Sequence, residues 1–191
     1  MNLNLPILQS EQSSLPQFIN YWSGFYDYPK EELYTKVDLL QFSAQDIIDL
    51  YEWKNGMALS AAKMSSLNKK IIAKLDIVNQ LKAEKKIDLD YFKNEFFSLS
   101  FVWKIFLLHI IKPKTYPIYD QNIHRCFNFI HAREHIGISS SISEKSKEQF
   151  YFEDYLPFIE TLNGISLHKI DRAFFTFGQF LNTRNLERLL E

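Results

Sequence analysis

Apolar residues recur along this chain every three or four positions and do not alternate over strand lengths, so the pattern predicts helices throughout. The first opens at Ser13-Ser14-Leu15-Pro16, where a proline in the first turn loses nothing by lacking an N–H, and runs to about Trp22 before Gly24. Phe25-Tyr26-Asp27-Tyr28-Pro29 reads as an aromatic connector, followed by a short helix from Lys30 to about Val37. Ser43-Ala44-Gln45-Asp46 has the spacing of a capping box and starts a helix through Ile47, Ile48, Leu50 and Tyr51 that stops at Asn55-Gly56. Ala58 to Ser66 is weakly patterned and reads as a loop with at most a turn of helix. Asn68 to Lys85 carries Ile71, Ile72, Leu75, Val78 and Leu81, the stripe of one amphipathic helix.

Asp88 or Asp90 caps a short helix through Phe92, Phe96 and Phe97, which Ser98-Leu99-Ser100 breaks. Phe101 to Ile111 is apolar on almost every side, and such a helix belongs in the centre of a domain. After the turn at Pro113 and Pro117, a helix from Gln121 to about Arg133 ends near Gly137. Ser139 to Lys147 is the most polar stretch and reads as an exposed loop. Phe150 to Leu162 is helical, but Pro157 predicts a kink or break near Tyr155. Asn163-Gly164 stops it. Ser166 caps a last long helix with Ile170, Ala173, Phe174, Phe177 and Phe180 in its stripe, and Leu186 to Leu190 adds a short tail. The fold class is all-α, with about eight or nine helices.

Hydrophobic residues at 46% and aromatics at 16% exclude a disordered chain and point to a core built on rings. The length suits a single domain: 1–42 as an N-terminal helical extension, 43–137 as the core, and 138–191 as C-terminal helices packing back. No apolar run is long enough to span a bilayer, Met1 to Gln12 lack the features of a secretion signal, and Cys126 has no partner for a disulfide. A soluble cytoplasmic protein with no membrane partner is the expectation.

A net charge of −1 argues against a strongly basic nucleic-acid binder, but the distribution qualifies this. Lys54, Lys63, Lys69, Lys70 and Lys74 occur with no acid between positions 54 and 75. Lys104, Lys112, Lys114, Arg125 and Arg133 face only Asp120 between 104 and 133. Ordinary solvated helix faces are one reading of such runs, and a dipolar surface with one basic face is the sharper one.

Phosphate loops, dinucleotide glycine patterns, CxxC and HExxH are all absent, and no cofactor is expected. His124, His131 and His135 are joined by no carboxylate or cysteine at helical spacing, so no metal is expected either. Asp120 stands out. It sits at the start of a helix after a proline-punctuated turn, where it can accept a first-turn N–H as an N-cap. The macrodipole favours negative charge there. A fixed carboxylate beside a partly apolar pocket is also what an oxocarbenium-like transition state requires, so the cap and the catalytic reading are compatible.

Asp120-Gln121-Asn122-Ile123-His124-Arg125, preceded by a proline-bearing loop and an apolar helix, resembles the Asp-x-x-Val-x-Arg element of the helix-hairpin-helix (HhH-GPD) DNA glycosylase superfamily. The wider pattern is similar to bacterial proteins of the 8-oxoguanine DNA glycosylase fold. It includes Leu50-Tyr51-Glu52-Trp53-Lys54-Asn55, Trp103-Lys104-Ile105-Phe106 with His109, Tyr116-Pro117-Ile118-Tyr119-Asp120, and Asp171-Arg172-Ala173-Phe174 with Phe177-Gly178. The resemblance spans about Asp46 to Asn182 and implies a compact, two-lobed helical domain that binds double-stranded DNA.

It also implies a monofunctional N-glycosylase of base excision repair in which Asp120 stabilises the sugar cation and orients water. The lyase lysine of the superfamily's bifunctional members lies near the start of the apolar helix, where Lys104 is the lysine in reach. Lys54, Lys112, Lys114, His124 and Arg125 are candidate DNA contacts, and Trp53, Trp103 and Tyr119 candidate walls for a flipped base. Asp171 reads as a first-turn helix carboxylate. The superfamily's glycine hairpin is replaced by Phe96-Phe97-Ser98-Leu99-Ser100, which removes the backbone approach to a DNA phosphate. A catalytically silent DNA- or protein-binding module on the same scaffold is the alternative.

Overall fold

The computed structural model describes residues 14–139, 141–162 and 164–183; the tail expected at Leu186 to Leu190 lies outside them, as do Ser13 and Asn163. Among the described residues all regular structure is helical. The α-helices are α1 (Leu15–Ser23), α2 (Glu31–Tyr34), α3 (Ala44–Asn55), α4 (Ala61–Lys70), α5 (Leu75–Ala83), α6 (Leu89–Glu95), α7 (Phe101–Ile111), α8 (Gln121–Ile130), α9 (Glu144–Gln149), α10 (Leu156–Glu160) and α11 (Leu167–Asn182). Counting segments that adjoin or stand one residue apart as one gives nine helices among the described residues. No described helix is long and apolar enough to cross a membrane.

The capping signals hold. Ser43 and Asp46 form a reciprocal box at α3, with Ser43 Oγ accepting from Asp46 N at 3.2 Å and Asp46 Oδ2 accepting from Ser43 N at 2.9 Å. Gly56 closes that helix at φ 71°, a left-handed position that a side chain would strain. Asp88 caps α6 and Ser166 caps α11 through their side chains.

Four expectations are corrected. α4 begins at Ala61, inside the stretch read as a loop; Ser60 caps it, and Leu67 is its only buried residue, so it has no apolar stripe to detect. The helix expected over 68–85 breaks at Ile71 (φ −122°, ψ −56°) and resumes through a 3-10 turn, Ile72–Lys74. α9 occupies part of the stretch read as an exposed loop, with Lys147 buried and paired to Glu144 at 2.8 Å. α8 stops at Ile130, three residues early, because Ala132 turns left-handed at φ 53°. Pro157 acts where expected, but by widening rather than breaking. Its ring would clash with the carbonyl four residues back, and the preceding turns, Phe150–Tyr155, open into a π-helix.

α7 is the central element, with eight buried residues. Lys82 Nζ donates to its Ile110 carbonyl (2.8 Å) and to the Val37 carbonyl (3.0 Å), while Lys112 Nζ returns to the Lys82 carbonyl (2.8 Å). The two lysines thereby serve orphan carbonyls at the ends of α5 and α7. α11 packs along α8 and, on another side, against α1. The α8–α11 crossing is close because position 178 is glycine. A Cβ there would meet the Asn122 backbone carbonyl oxygen at 1.9 Å.

Candidate active site

The segment between α7 and α8 is pinned one carbonyl or amide at a time. His109 Nδ1 bonds the Tyr116 carbonyl (2.7 Å), Tyr151 OH the Pro117 carbonyl (2.8 Å), and Lys54 Nζ the Tyr119 carbonyl (3.0 Å). Ile118 N donates to Asp171 Oδ2 at 3.2 Å, and Tyr155 OH to Asp171 Oδ1 at 3.1 Å. α3, α7, the π turn and α11 therefore all hold the backbone that ends at Asp120. His109, Tyr151, Tyr155 and Asp171 are all buried, so these bonds are made inside the core.

Asp120 is the N-cap of α8: its Oδ1 accepts from Asn122 N at 2.8 Å. Its Oδ2 lies 3.5 Å from Lys54 Nζ, with the lysine side chain 10% and the aspartate 24% exposed, so the carboxylate is neither sealed nor free. Around it Tyr26, Tyr28, Trp53, Lys54, Ile118, Asp120, Ile123, His168, Asp171, Arg172 and Phe175 line a cleft. Rings form most of its wall. Tyr26 stacks on Tyr28 (centroids 6.1 Å), Phe175 meets both edge-on, and Tyr28 meets Trp53 edge-on at 5.4 Å. The space inside is about 30 Å³, enough for a water or two.

Glu31 is the hub beside this cleft. Its Oε2 accepts from Trp53 Nε1 (2.9 Å) and Tyr26 OH (3.1 Å), and its Oε1 from Arg172 Nη2 (2.6 Å). Burial pushes the Glu31 carboxyl up, but the bonds from Trp53, Arg172 and Tyr26 outweigh it and hold the group below its ordinary range. Asp171 goes the other way. Complete burial raises it to about 7, against the downward pull of Ile118 N, Tyr155 OH and the Lys54 charge. Burial, with the Arg172 charge, lowers His168. Its Nε2 lies 3.5 Å from Glu31 Oε1 without the alignment of a hydrogen bond, and both this atom and Arg172 Nε are buried without a hydrogen-bond partner. Two orphan nitrogens on residues lining one cleft are what a polar ligand would satisfy.

Of the residues proposed from sequence, the structure brings Asp120, Lys54 and Trp53 together. The others are placed elsewhere. Lys104 and Trp103 lie on α7 away from the cleft; Lys104 is near enough to Glu144 to lower its carboxyl. Trp103 instead lines a shallow groove of about 340 Å³ with Ala62, Lys63, Ser66, Lys70, Leu99 and Ser100. Tyr119 lends the cleft only its carbonyl, since its buried ring packs on Phe101 and Phe150.

Arg125 is buried and fully engaged, donating to Asn122 Oδ1 (2.6 Å), the Gly178 carbonyl (3.1 Å) and the Ile138 carbonyl (2.7 Å). His124 is buried, stacked on Phe150 at 3.6 Å, and lowered to about 4 by burial. Lys112 is bound to the Lys82 and Glu84 carbonyls, while Lys114 is exposed. Asp171 lies beyond the first turn of α11 and is buried, rather than a surface carboxylate at the helix start.

Tyr26, Tyr28, Glu31, His168, Arg172 and Phe175 escaped the sequence reading. The aromatic connector at 25–29 contains Tyr26 and Tyr28, and the Asp171-Arg172-Ala173-Phe174 pattern contains Arg172, but neither marks these side chains as site residues. Among the described residues no group of three His, Cys, Asp or Glu side chains could hold a metal ion. No family model, curated protein or solved structure matches the chain.

Proposed function

We propose that this protein is a DNA N-glycosylase in which Asp120 stabilises the sugar cation as the glycosidic bond breaks. The observation that carries the reading is the position of Asp120: a helix-capping carboxylate at the end of a segment, Tyr116 to Tyr119, whose backbone is bonded by four helices, and on the lining of an aromatic-walled cleft. A developing positive charge beside a fixed carboxylate in a largely dry site is stabilised without reorganisation at the moment of reaction. Rings suit the other half of the task, since an extruded base is held by stacking. The unpaired nitrogens of His168 and Arg172 are donors or acceptors for a base edge.

A cleft that holds a water or two does not hold a base, so binding requires the Tyr26–Tyr28 wall to move outward. These rings sit on the connector between α1 and α2, outside any helix, where such a change is cheapest. The lysine groove at Trp103 would take the DNA backbone: Lys63 bonds Asn55, the residue after Lys54, so the groove borders the same end of α3.

A second reading, a catalytically silent binding module, is favoured by a specific observation. Arg125, His124 and Lys112 all have internal structural roles, and the cleft is closed to a base. Base release from a panel of damaged and modified duplexes separates the two. Asparagine caps a helix as well as aspartate, so Asp120→Asn removes the charge and keeps the mount. The expected loss is about 10²–10³-fold. Equal release by wild type and variant overturns the role of Asp120, and no release from either puts the silent module ahead.

A further inference from the structure

We infer that Asp171 is a proton-operated positioning residue for Asp120: ionised, it grips the turn that delivers Asp120 through the Ile118 amide, and neutral, it lets that turn slacken. The inference concerns the mount alone and stands whether or not the cleft releases a base. Asp171 is carried by α11, is 4% exposed, and uses both of its oxygens. Oδ2 accepts from Ile118 N, two residues before Asp120, at 3.2 Å, and Oδ1 accepts from Tyr155 OH at 3.1 Å. Ile118 lies between two pinned carbonyls, Pro117 held by Tyr151 OH and Tyr119 held by Lys54 Nζ, so its amide is the third tie on one short stretch of backbone.

This carboxyl is buried without a cation bonded to it. Among the described residues its donors are an amide and a phenol, and Lys54, whose charge reaches it, is committed to the Tyr119 carbonyl and Asp120. Burial pushes Glu31 and Asp46 up as well, but each accepts from a cation, Arg172 or Lys36, among its donors and lies below its ordinary range. Asp171 has no such bond, and burial takes it to about 7. The other ionisable groups around it are Lys54 from α3, Tyr34 from α2, Tyr151 and Tyr155 from the π turns, Asp120 on the same cleft, and His168 and Arg172 on α11 itself. Burial raises the three tyrosines and lowers His168, so all four move away from the range in which Asp171 changes charge.

A proton on Asp171 weakens the grip whichever oxygen takes it. On Oδ2 it turns the acceptor of Ile118 N–H into a donor, and that amide is left without a partner in the core. On Oδ1 it turns the Tyr155 hydroxyl hydrogen away and leaves Ile118 a neutral carbonyl oxygen. A bond to an ionised acceptor is about twice as strong as one to a neutral acceptor, so the tie at Ile118 loses about half its strength even then. The slack falls two residues before the carboxylate that accepts from Asn122 N and lines the cleft. Asp120 is therefore held most tightly once Asp171 has lost its proton.

The test follows both ends of the tie by NMR on the isotope-labelled full chain, titrated across neutrality from about pH 5.5 to 8.5. The Asp171 carboxyl carbon should show a step with its midpoint near 7. The amide protons of Ile118, which donates to Asp171, and of Asn122, which donates to Asp120, should move with the same midpoint. Asp171→Asn keeps one acceptor and cannot ionise, so it should abolish both amide steps. Tyr155→Phe removes a bond that favours the ionised form, and the shared midpoint should rise by about one unit. That second variant carries the test if the asparagine chain does not fold. No step at the Asp171 carboxyl in this range overturns the inference. So does an Asn122 amide that stays still while Ile118 moves, because Asp171 would then hold the turn without reaching Asp120. Amide steps that survive Asp171→Asn belong to another group, His168 first, and overturn it too, as does an unmoved midpoint in Tyr155→Phe. All of these signals are read without any base release, so the glycosylase reading stands or falls separately.

Discussion

The chain carries the dipeptide Trp-Lys twice, at Trp53-Lys54 and Trp103-Lys104, each on a helix bordering the core. Trp53 is buried: its ring lies 4.4 Å from Tyr34, 5.4 Å from Tyr28 and 5.8 Å from Phe106, and its N–H is taken by Glu31. Trp103 is half-buried at the rim of a groove, where Tyr51 is its one ring neighbour among the described residues. Lys54 meets a carboxylate and a carbonyl inside a cleft; Lys104 lies near Glu144 at the edge of α7. The same two residues make one fixed, partly dry cleft wall and one more solvated helix edge. Residue type does not separate the copies. What separates them is that α3 ends against the Asp120 segment while Trp103 and Lys104 begin α7 beside α4.

Truncating the two tryptophans should break that comparison most visibly. Trp53→Ala leaves a void among three rings and takes a donor from Glu31, and buried Trp→Ala changes cost about 3–5 kcal/mol. Trp103→Ala removes a half-buried ring at a groove and should cost about 1–2 kcal/mol on the scale of its burial. Urea unfolding of both variants measures the difference. Equal costs would mean that the packing around Trp53 matters no more than an open rim.

Gly178→Ala acts at the α8–α11 crossing, outside the cleft lining. The added methyl would overlap the Asn122 backbone, and backbone cannot rotate aside as a side chain can, so α8 and α11 must separate. Overpacking of this kind costs about 1–3 kcal/mol, which in a chain of this size lowers the midpoint by roughly 2–4 °C per kcal/mol. The displaced turn is the one Asp120 caps, so any base release should fall with stability, and conformation at the Trp103 groove should not change. A variant as stable as wild type would show that the crossing has slack.

Much of the fold was legible because local rules and tertiary packing agree. The Ser43–Asp46 box, the Ser166 cap and the uniformly apolar α7 each mark an element that the core then uses. α4 was missed because its single buried leucine leaves no periodic stripe, and the helix rests on its Ser60 cap and its neighbours. The site was half legible. Asp120 is marked by its turn, but the partners that decide its chemistry are not sequence neighbours: Lys54 is 66 positions away, and Glu31 joins Arg172 across 141. Arg125 shows the same limit. One turn from Asp120 it reads as a phosphate ligand, yet the Gly178 and Ile138 carbonyls that engage it come from distant chain.

The smallest effect is expected from protonation beneath the Trp53 wall. Burial lowers His109 to about 3 from its ordinary 6.5, so Nδ1–H donates to the Tyr116 carbonyl and Nε2 accepts from Tyr34 OH at 2.8 Å. As pH falls below 6.5 the unfolded chain takes up a proton that folded His109 refuses, and stability is lost toward its folded value. The slope approaches about 1.4 kcal/mol per pH unit, so a step from pH 6.5 to 5.5 costs about 1 kcal/mol. His124, lowered to about 4, adds in the same direction. Asp171, raised to about 7, opposes, because its contribution declines as pH rises. The difference between wild type and His109→Gln isolates the one group: the variant should be less stable at pH 7.5 and lose less on acidification. Tyr34 lies against Trp53, so the loosening belongs to the Trp53 copy and leaves Trp103 as it was. Parallel pH slopes for the two proteins would show that His109 does not set this dependence.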